Sequence, residues 1–195
     1  MNWRWRRPHS LSGLDSLKNS MISGSKVRLR NKKLADAQND YIWQTDPELA
    51  RLDAAPLLTM AFSQYLSEYA SALRCPSSVK HQFAIETLEG KHVGNCTYYG
   101  INKTKKEAEL GIMIGNCNNW DKGYGVDAVT TLVDHIFCQT GLERVYLKTL
   151  TWNKRAQRCF EKCGFIPCGH LGEDGYSFVL MELHREQWEK WWTKD

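Results

Sequence analysis

Hydrophobic and polar positions alternate, or recur at helical spacing, along most of the chain, and this predicts a series of strands and helices. Residues 26–30, Lys-Val-Arg-Leu-Arg, alternate as a half-buried strand does. Residues 36–43 are predicted to form a helix, and Asp46-Pro47 is predicted to interrupt the chain, because the residue before a proline is pushed out of the helical region. Residues 59–73 have the pattern of an amphipathic helix. Its apolar positions, three and four apart, are Phe62, Leu66, Tyr69 and Leu73.

The rest of the chain is predicted to be strands interleaved with helices. Short polar turns separate the first three strands, so we expect an antiparallel meander there. These strands lie at 82–87, 93–100 and 107–115. After them come a helix at 125–139, a strand at 144–150, a helix at 153–162 and two closing strands at 166–170 and 177–184. Helices interleaved with a largely antiparallel sheet predict an α+β, or mixed α/β, fold.

The positive charge of the chain is concentrated at its start. The 195 residues have a net charge of +4, and residues 1–20, with four Lys or Arg against one Asp, account for +3 of it. We therefore expect a basic, flexible extension at 1–23 and one folded domain at 24–195. Because that domain is nearly neutral, it is not expected to bind nucleic acid.

The sequence gives no indication of a membrane protein, a secreted protein or a metal-binding protein. The apolar stretches are too short to span a bilayer, and no apolar segment follows the N-terminal arginines as it would in a signal peptide. The seven cysteines are an odd number in a chain large enough to fold without disulfides, so we expect reduced thiols and a cytoplasmic location. Without a Cys-x-x-Cys pair, no metal site is expected.

A glycine-containing loop lies between a predicted strand and a predicted helix, with the sequence Trp120-Asp121-Lys122-Gly123-Tyr124-Gly125-Val126. Glycines at a helix start leave backbone N–H groups unpaired and let a ligand approach closely. The positive end of the helix dipole suits phosphate or pyrophosphate, and a tight turn without a ligand is the alternative. The loop lacks the Gly-Lys-Ser/Thr of a Walker A motif, and Ala128 replaces the third glycine of a dinucleotide fingerprint.

Two further segments accompany this loop. Glu109-Leu110-Gly111-Ile112-Met113-Ile114-Gly115 runs directly into it, and some 30 residues later comes Asn153 to Phe165, which ends in Glu-Lys-Cys-Gly-Phe. Together these segments resemble the GNAT superfamily of N-acetyltransferases, in particular the branch that includes the ribosomal-protein-alanine acetyltransferases. The resemblance covers about residues 24–186. It implies a twisted sheet splayed in a V with flanking helices, and acetyl-CoA bound between strands 109–114 and 144–150.

The resemblance also implies which residues bind acetyl-CoA. The pantetheine arm is expected to pair with the backbone of Ile112, Met113 and Ile114. The pyrophosphate is expected to take backbone N–H groups of the loop, namely Lys122, Gly123, Tyr124, Gly125 and Val126. Asn153, Ala156 and Phe160 fall on one helical face, and Asn153 is expected to reach the arm. A plain N-cap role for Asn153 is the alternative, and the two roles can coexist.

Acetyl transfer from a thioester to an amine requires orientation of both reactants, stabilisation of an oxyanion and removal of a proton from the amine. Glu109 is the candidate base, and an exposed strand glutamate without a catalytic role is the alternative. Phe160 stands where many members have a tyrosine general acid, and Ala156 where others use a serine. Neither can protonate the leaving thiolate, which is able to leave unassisted because thiols have pKa values near 8.5.

The expected acceptor contacts are aromatic side chains that attract cations, namely Trp43, Tyr98 and Tyr176. The predicted function is acetyl transfer from acetyl-CoA to a primary amine, on a protein N-terminus or on a small amine such as a polyamine or an aminoglycoside. The alternative is an acyl-CoA-binding regulatory module with little or no turnover, suggested by Phe160 and Ala156. The family likeness also suggests a homodimer.

Overall fold

The computed structural model describes residues 21–192, so residues 1–20 of the predicted extension lie outside it. Its strands are β1 (Ile22–Ser23), β2 (Val27–Asn31), β3 (Lys80–Thr87), β4 (His92–Asn102), β5 (Glu107–Ile114), β6 (Arg144–Leu150), β7 (Ile166–Glu173) and β8 (Tyr176–His184). Its α-helices are α1 (Ala37–Gln44), α2 (Pro47–Leu52), α3 (Phe62–Arg74), α4 (Tyr124–Gln139), α5 (Lys154–Lys162) and α6 (Arg185–Trp192). Short 3-10 helices occur at Leu34–Asp36 and Cys117–Asn119. No helix in this part of the chain is both long and apolar enough to cross a bilayer.

The strands form one sheet in the order β1-β2-β3-β4-β5-β6-β8-β7, which confirms the predicted mixed α/β class. Neighbouring strands are antiparallel except β5 and β6, which run parallel. The β5–β6 ladder joins Glu107 to Arg144, Ala108 to Val145 and Glu109 to Tyr146, and then stops. Both strands continue beyond these pairs, so the sheet opens into a cleft between them.

One face of the sheet carries the hydrophobic core. Helix α4 packs on it through Ala128, Val129 and Leu132, all of which are fully buried. The indole rings of Trp188 and Trp191 in α6 pack against the same cluster. Helix α4 therefore packs on the core face of the sheet, with β5 of the cleft among the strands it contacts.

Three elements were not predicted. Asp46-Pro47 starts α2 instead of interrupting the chain, because the Asp46 carboxylate accepts hydrogen bonds from the backbone N–H groups of Glu48 (2.8 Å) and Leu49 (3.0 Å). Proline fits the first helical position, where its missing N–H is not needed. Strand β1 begins the sheet at Ile22, two residues before the predicted domain start at 24, and α6 forms at the C-terminal end.

A set of buried charges lies away from the cleft, between β2, α1 and β4. We call it the ionic cluster, and its members are Arg30, Lys32, Asp36, Asp40 and His92. The Arg30 guanidinium donates to both carboxylate oxygens of Asp36, at 2.8 Å each, and Lys32 Nζ lies 2.5 Å from Asp40. Tyr69 and Asn95 also donate to Asp40, at 2.9 and 2.7 Å. Every carboxylate of the cluster is thus paired, as buried charges must be.

Candidate active site

A cavity of about 360 Å³ lies where β5 and β6 part. Its wall includes six of the residues that the sequence nominated, which are Glu109, Ile112, Asn153, Ala156, Phe160 and Tyr176. They come from β5, from the start of α5 and from β8, three segments that are distant in the chain. The divergence of the two strands is what brings these segments together around one space.

Backbone groups at the end of β5 face the cleft. The indole Nε1 of Trp120 donates to the carbonyl oxygen of Ile114 at 2.9 Å. This oxygen is therefore not used in the ladder between β4 and β5 and points toward the cleft. Since backbone polar groups of successive strand residues point to opposite neighbours, Ile112 faces the cleft as well. Met113 does not, because its carbonyl oxygen points at Gly94 of β4. The Met113 carbonyl oxygen is therefore turned toward β4, so a pantetheine arm in the cleft would pair with the backbone of Ile112 and Ile114 instead.

The glycine loop presents free backbone donors at the start of α4. Gly123 has φ +83°, a left-handed conformation that favours glycine, and it caps the helix. The first helical hydrogen bond runs from Asp127 N to Gly123 O at 3.0 Å. Within residues 21–192 no acceptor takes the N–H groups of Tyr124, Gly125 and Val126. This arrangement fits an anionic ligand at the positive end of a helix dipole.

The β1–β2 turn holds this loop in place. The Asp127 carboxylate accepts hydrogen bonds from the backbone N–H groups of Lys26 (2.7 Å) and Val27 (2.9 Å), and from Ser25 N at 3.0 Å. In return, Lys26 Nζ donates to the carbonyl oxygen of Lys122 at 2.8 Å. The only acidic side chain in the first turn of α4 is thus occupied by the turn.

Helix α5 begins against the opposite wall of the cavity. The Asn153 side chain accepts from the backbone N–H of Ala156 at 3.1 Å, so Asn153 has the N-cap role that was the alternative to reaching the arm. Gln157 ties the helix to the end of β6 by donating to the carbonyl oxygens of Leu150 (2.9 Å) and Thr151 (3.0 Å). Phe160 is 6% exposed and packs edge-to-face on Phe165. Phe160 therefore contributes apolar surface, with no proton to donate.

Carboxylates outnumber cations in the cavity wall. Among residues 21–192, Asp53, Glu109, Glu173 and Asp174 all line it, against Lys148 alone. Lys148 Nζ lies 2.5 Å from Glu173, and this hydrogen bond raises the pKa of the lysine, which keeps it charged. One of the four carboxylates is thus neutralised and three are not.

Two tyrosines flank Glu109 in the sheet. Tyr99 of β4 and Tyr146 of β6 are its cross-strand partners on either side. Burial, and then the hydrogen bond and negative charge of Glu109, raise the pKa of Tyr99 well above its usual value. Burial and the charge of Glu109 also raise the pKa of Tyr146. Both phenols therefore stay protonated beside Glu109 at neutral pH.

Sequence reasoning missed six polar residues of the cavity, which are Asp53, Tyr99, Lys148, Thr149, Glu173 and Asp174. Glu173 and Asp174 lie between the two predicted closing strands. Asp53 follows α2, which was not predicted. Tyr99 and Lys148 lie in strands that were predicted, at β4 and β6. The signal for them was the register between strands, which a single sequence does not show.

Two expected acceptor contacts lie in the protein interior instead. Trp43 is 6% exposed; its indole packs against Gly115 and lies 4.8 Å from the ring of His92. Tyr98 is 4% exposed and belongs to the hydrophobic core, stacked on His81. Neither residue lines the cavity, because strand alternation turns Tyr98 inward and α1 carries Trp43 onto the sheet. Tyr176 does line it.

Comparison with known proteins identifies the family. Residues 26–166 match the family model described as an acetyltransferase (GNAT) domain. The chain belongs to the GNAT acetyltransferase family. Its β5–β6 cleft and glycine loop correspond to what the sequence resemblance implied for acetyl-CoA, the acyl donor of this family.

Two related proteins are named as N-acetyltransferases, one of them for spermidine. Spermidine N(1)-acetyltransferase of Vibrio cholerae is 27% identical over 97 residues, a match that spans 50% of this chain and 56% of that protein. An uncharacterized N-acetyltransferase, p20, of Bacillus licheniformis is 24% identical over 80% of this chain and 93% of its own length. The matched part thus covers only about half of the Vibrio cholerae protein.

Solved structures share the fold. A Vibrio cholerae spermidine N-acetyltransferase, solved with CoA and spermine, superposes with a TM-score of 0.76 at 19% identity, over 85% of this chain and 99% of that one. The aminoglycoside acetyltransferase AAC(6')-Ib with coenzyme A gives 0.71 at 20% identity, over 87% and 99%. Another structure of the Vibrio cholerae enzyme is dodecameric. The named relatives do not include a ribosomal-protein-alanine acetyltransferase.

Proposed function

We propose that this protein transfers the acetyl group of acetyl-CoA to a primary amine of a small polycation. The observation that carries the proposal is the excess of carboxylates in the cavity wall, where Asp53, Glu109 and Asp174 form no salt bridge with Lys148, the one cation of the wall within residues 21–192. A cavity lined by one sign of charge attracts ligands of the other sign. Aromatic faces at Tyr99 and Tyr176 add cation–π attraction.

Acetyl-CoA fits the same cleft from the side of the glycine loop. The pantetheine arm would hydrogen-bond to the backbone of Ile112 and Ile114, in the manner of an added strand. The pyrophosphate would take the N–H groups of the loop between Lys122 and Val126, of which those of Tyr124, Gly125 and Val126 have no acceptor in the described part of the chain. Asn153, Ala156 and Phe160 would form the wall opposite β5.

Glu109 is the proposed base. It lies in the cavity wall at the last β5–β6 pair, so an acceptor amine and a thioester placed in the cleft both come close to it. The amine loses a proton to Glu109, its nitrogen forms a bond to the acetyl carbon, and the carbon–sulfur bond breaks to release CoA thiolate. Holding the two reactants together supplies much of the rate enhancement.

The alternative acceptor, the cellular compartment and the oligomeric state are also matters of proposal. A protein N-terminus, the acceptor implied by likeness to the ribosomal-protein-alanine branch, is less favoured because a single terminal amine would leave most of the carboxylates unpaired. The seven free cysteines support a reducing, cytoplasmic compartment. A homodimer is proposed from the family likeness, and the dodecameric relative supports assembly of some kind.

A panel of amines tests the proposal through CoA release. We expect kcat/KM for a triamine to exceed that for a monoamine of equal length by about tenfold or more, the effect of one favourable charge contact. Asp53→Asn should reduce this preference, whereas Glu68→Gln, a matched change on the exposed face of α3, should not. A higher kcat/KM for a peptide with N-terminal alanine would contradict the proposed acceptor.

A further inference from the structure

The proposed reaction leaves one proton unassigned. The amine loses a proton and the CoA thiolate gains one, yet Phe160 and Ala156 in the α5 wall have no proton to give. Glu109 ends the step protonated and must return to its carboxylate form before the next turnover. A single relay that passes the proton from Glu109 to sulfur would meet both needs.

Tyr99 is placed to complete that relay. It lines the cavity together with Glu109, and the two are direct cross-strand partners between β4 and β5. Directly opposed residues of an antiparallel pair have their side chains on the same face, about 5 Å apart at Cβ. The phenol of Tyr99 and the carboxylate of Glu109 therefore share one end of the cavity.

The ring of Tyr99 lies next to Gly111. A Cβ atom on Gly111 would lie 3.6 Å from Cε1 of Tyr99, so the ring lies beside this bare stretch of β5. Gly111 is two residues past the last β5–β6 pair, in the part of β5 that faces the cleft. The ring thus extends from β4 toward the place where the thioester would lie.

The other proton carriers of the cavity are less suitable. Lys148 is held by Glu173. Tyr176 lies at the β7–β8 hairpin, opposite Glu173 in register, and is not a cross-strand partner of Glu109. Tyr146 flanks Glu109 from β6 but is not part of the cavity wall.

We propose that Tyr99 is the general acid of the reaction and that Glu109 and Tyr99 pass the amine proton to the leaving thiolate. As the carbon–sulfur bond breaks, the Tyr99 hydroxyl gives its proton to sulfur. Tyr99 then takes the proton that Glu109 received from the amine. One proton leaves nitrogen, one reaches sulfur, and both side chains return to their starting forms, so no other reactant is required. This inference rests on the proposed acetyl transfer.

The environment of the pair suits such a transfer. Burial and the nearby carboxylate raise the pKa of Tyr99, so the phenol holds its proton until the reaction begins. When Glu109 accepts the amine proton its negative charge disappears, and the phenol becomes more acidic at the moment the thiolate forms. The proton is thus released only after the amine has been deprotonated.

Tyr99→Phe tests the relay, with Tyr146→Phe as the matched control, since it removes a phenol from the other side of Glu109. With saturating acetyl-CoA and amine, we expect Tyr99→Phe to lower kcat by about 30- to 100-fold, within the usual range for a general acid. The KM for acetyl-CoA and its affinity by calorimetry should change by less than about twofold. Tyr146→Phe should keep most of the wild-type kcat.

Rates in mixtures of H2O and D2O separate a proton relay from simple positioning. When kcat is plotted against the fraction of D2O, the wild-type plot should be curved, as expected when two protons move in the rate-limiting step. The plot for Tyr99→Phe should be a straight line. The relay would be overturned if Tyr99→Phe kept the wild-type kcat, or if Tyr146→Phe lost as much kcat as Tyr99→Phe. It would also be overturned if the D2O plot of Tyr99→Phe were as curved as that of the wild type. If the enzyme prefers an amine other than a polycation, the acceptor proposal fails, and the same variants still test the relay on that amine. Absence of CoA release with every amine would overturn both.

Discussion

The ionic cluster and the cavity both contain several carboxylates. Those of the cluster are buried and paired with cations, whereas most of those in the cavity are not paired with a cation in the described part of the chain. In the cluster, Asp36 and Asp40 are 2% and 3% exposed, and each is matched by a cation and by further donors. In the cavity, Asp53 and Asp174 are exposed, and the one lysine of the wall is taken by Glu173. Paired and buried charges fix the fold, whereas unpaired charges at an open cavity are available to a ligand.

The largest effect should come from breaking a pair in the cluster. Asp36→Ala would leave the Arg30 guanidinium, whose side chain is 11% exposed, without its bidentate partner, although Glu86 still accepts a hydrogen bond from Arg30 Nε at 2.5 Å. We expect the free energy of unfolding in urea to fall by about 3 kcal/mol, the lower end of the cost of removing one member of a buried ion pair, because Glu86 still compensates the charge.

A matched exposed pair provides the control. Glu48 and Arg51 in α2 make the same kind of carboxylate–guanidinium contact, at 2.8 Å, but both side chains are more than half exposed. Glu48→Ala should leave the urea midpoint almost unchanged, since exposed pairs contribute little. Equal destabilisation by the two variants would show that burial is not what distinguishes the cluster.

In the cavity, the expected effect is on rate and not on stability. Glu109→Gln removes the proposed base while keeping its size, so kcat for the preferred amine should fall by about 100-fold. Because Glu109 is only half-buried, the urea midpoint should stay close to that of the wild type. A destabilised protein with a normal rate per folded molecule would reverse the roles that we give to the two regions.

The smallest effect is a dependence of stability on pH. Burial, and after it the charge of Lys32, lowers the pKa of His92 in the cluster. The unfolded chain therefore binds this proton more readily, and stability should fall as the pH drops below about 6.5. Burial lowers the pKa of His81 and His135 in the same direction.

His92→Gln isolates the contribution of the cluster. Urea unfolding between pH 7.5 and pH 5 should show a smaller loss of stability in this variant than in the wild type. The same loss in both proteins would mean that other histidines carry the effect.

The start of α4 and the N-cap of α5 could be predicted from the sequence, whereas the burial of two expected acceptor contacts could not. The glycine loop, Asn153 and Ala156 could be found because each is marked by residues close together in the chain, which determine a helix start or a helix face. Met113 was the exception, since whether a strand carbonyl faces one neighbour or the other depends on register. Trp43 and Tyr98 failed for a related reason, because only packing against other elements decides that they are buried.

The ionic cluster was not predicted at all. Alternation in residues 26–30 indicated that Arg30 lies on a solvent face, and the strand does form there. In the folded protein α1 and the 3-10 helix before it cover that face and bring Asp36 and Asp40 onto it. A periodicity of two separates the faces of a strand, but it does not say which face a distant helix will cover.

Amide hydrogen exchange with and without acetyl-CoA tests most directly whether the two regions divide binding from stability. The account predicts slower exchange at Ile112 and Ile114, and at Tyr124 to Val126, when acetyl-CoA is present. It predicts no change at Asp36, Asp40 and His92, whose exchange reports the stability of the fold. Protection confined to the cluster, or unchanged exchange at the glycine loop in saturating acetyl-CoA, would contradict it.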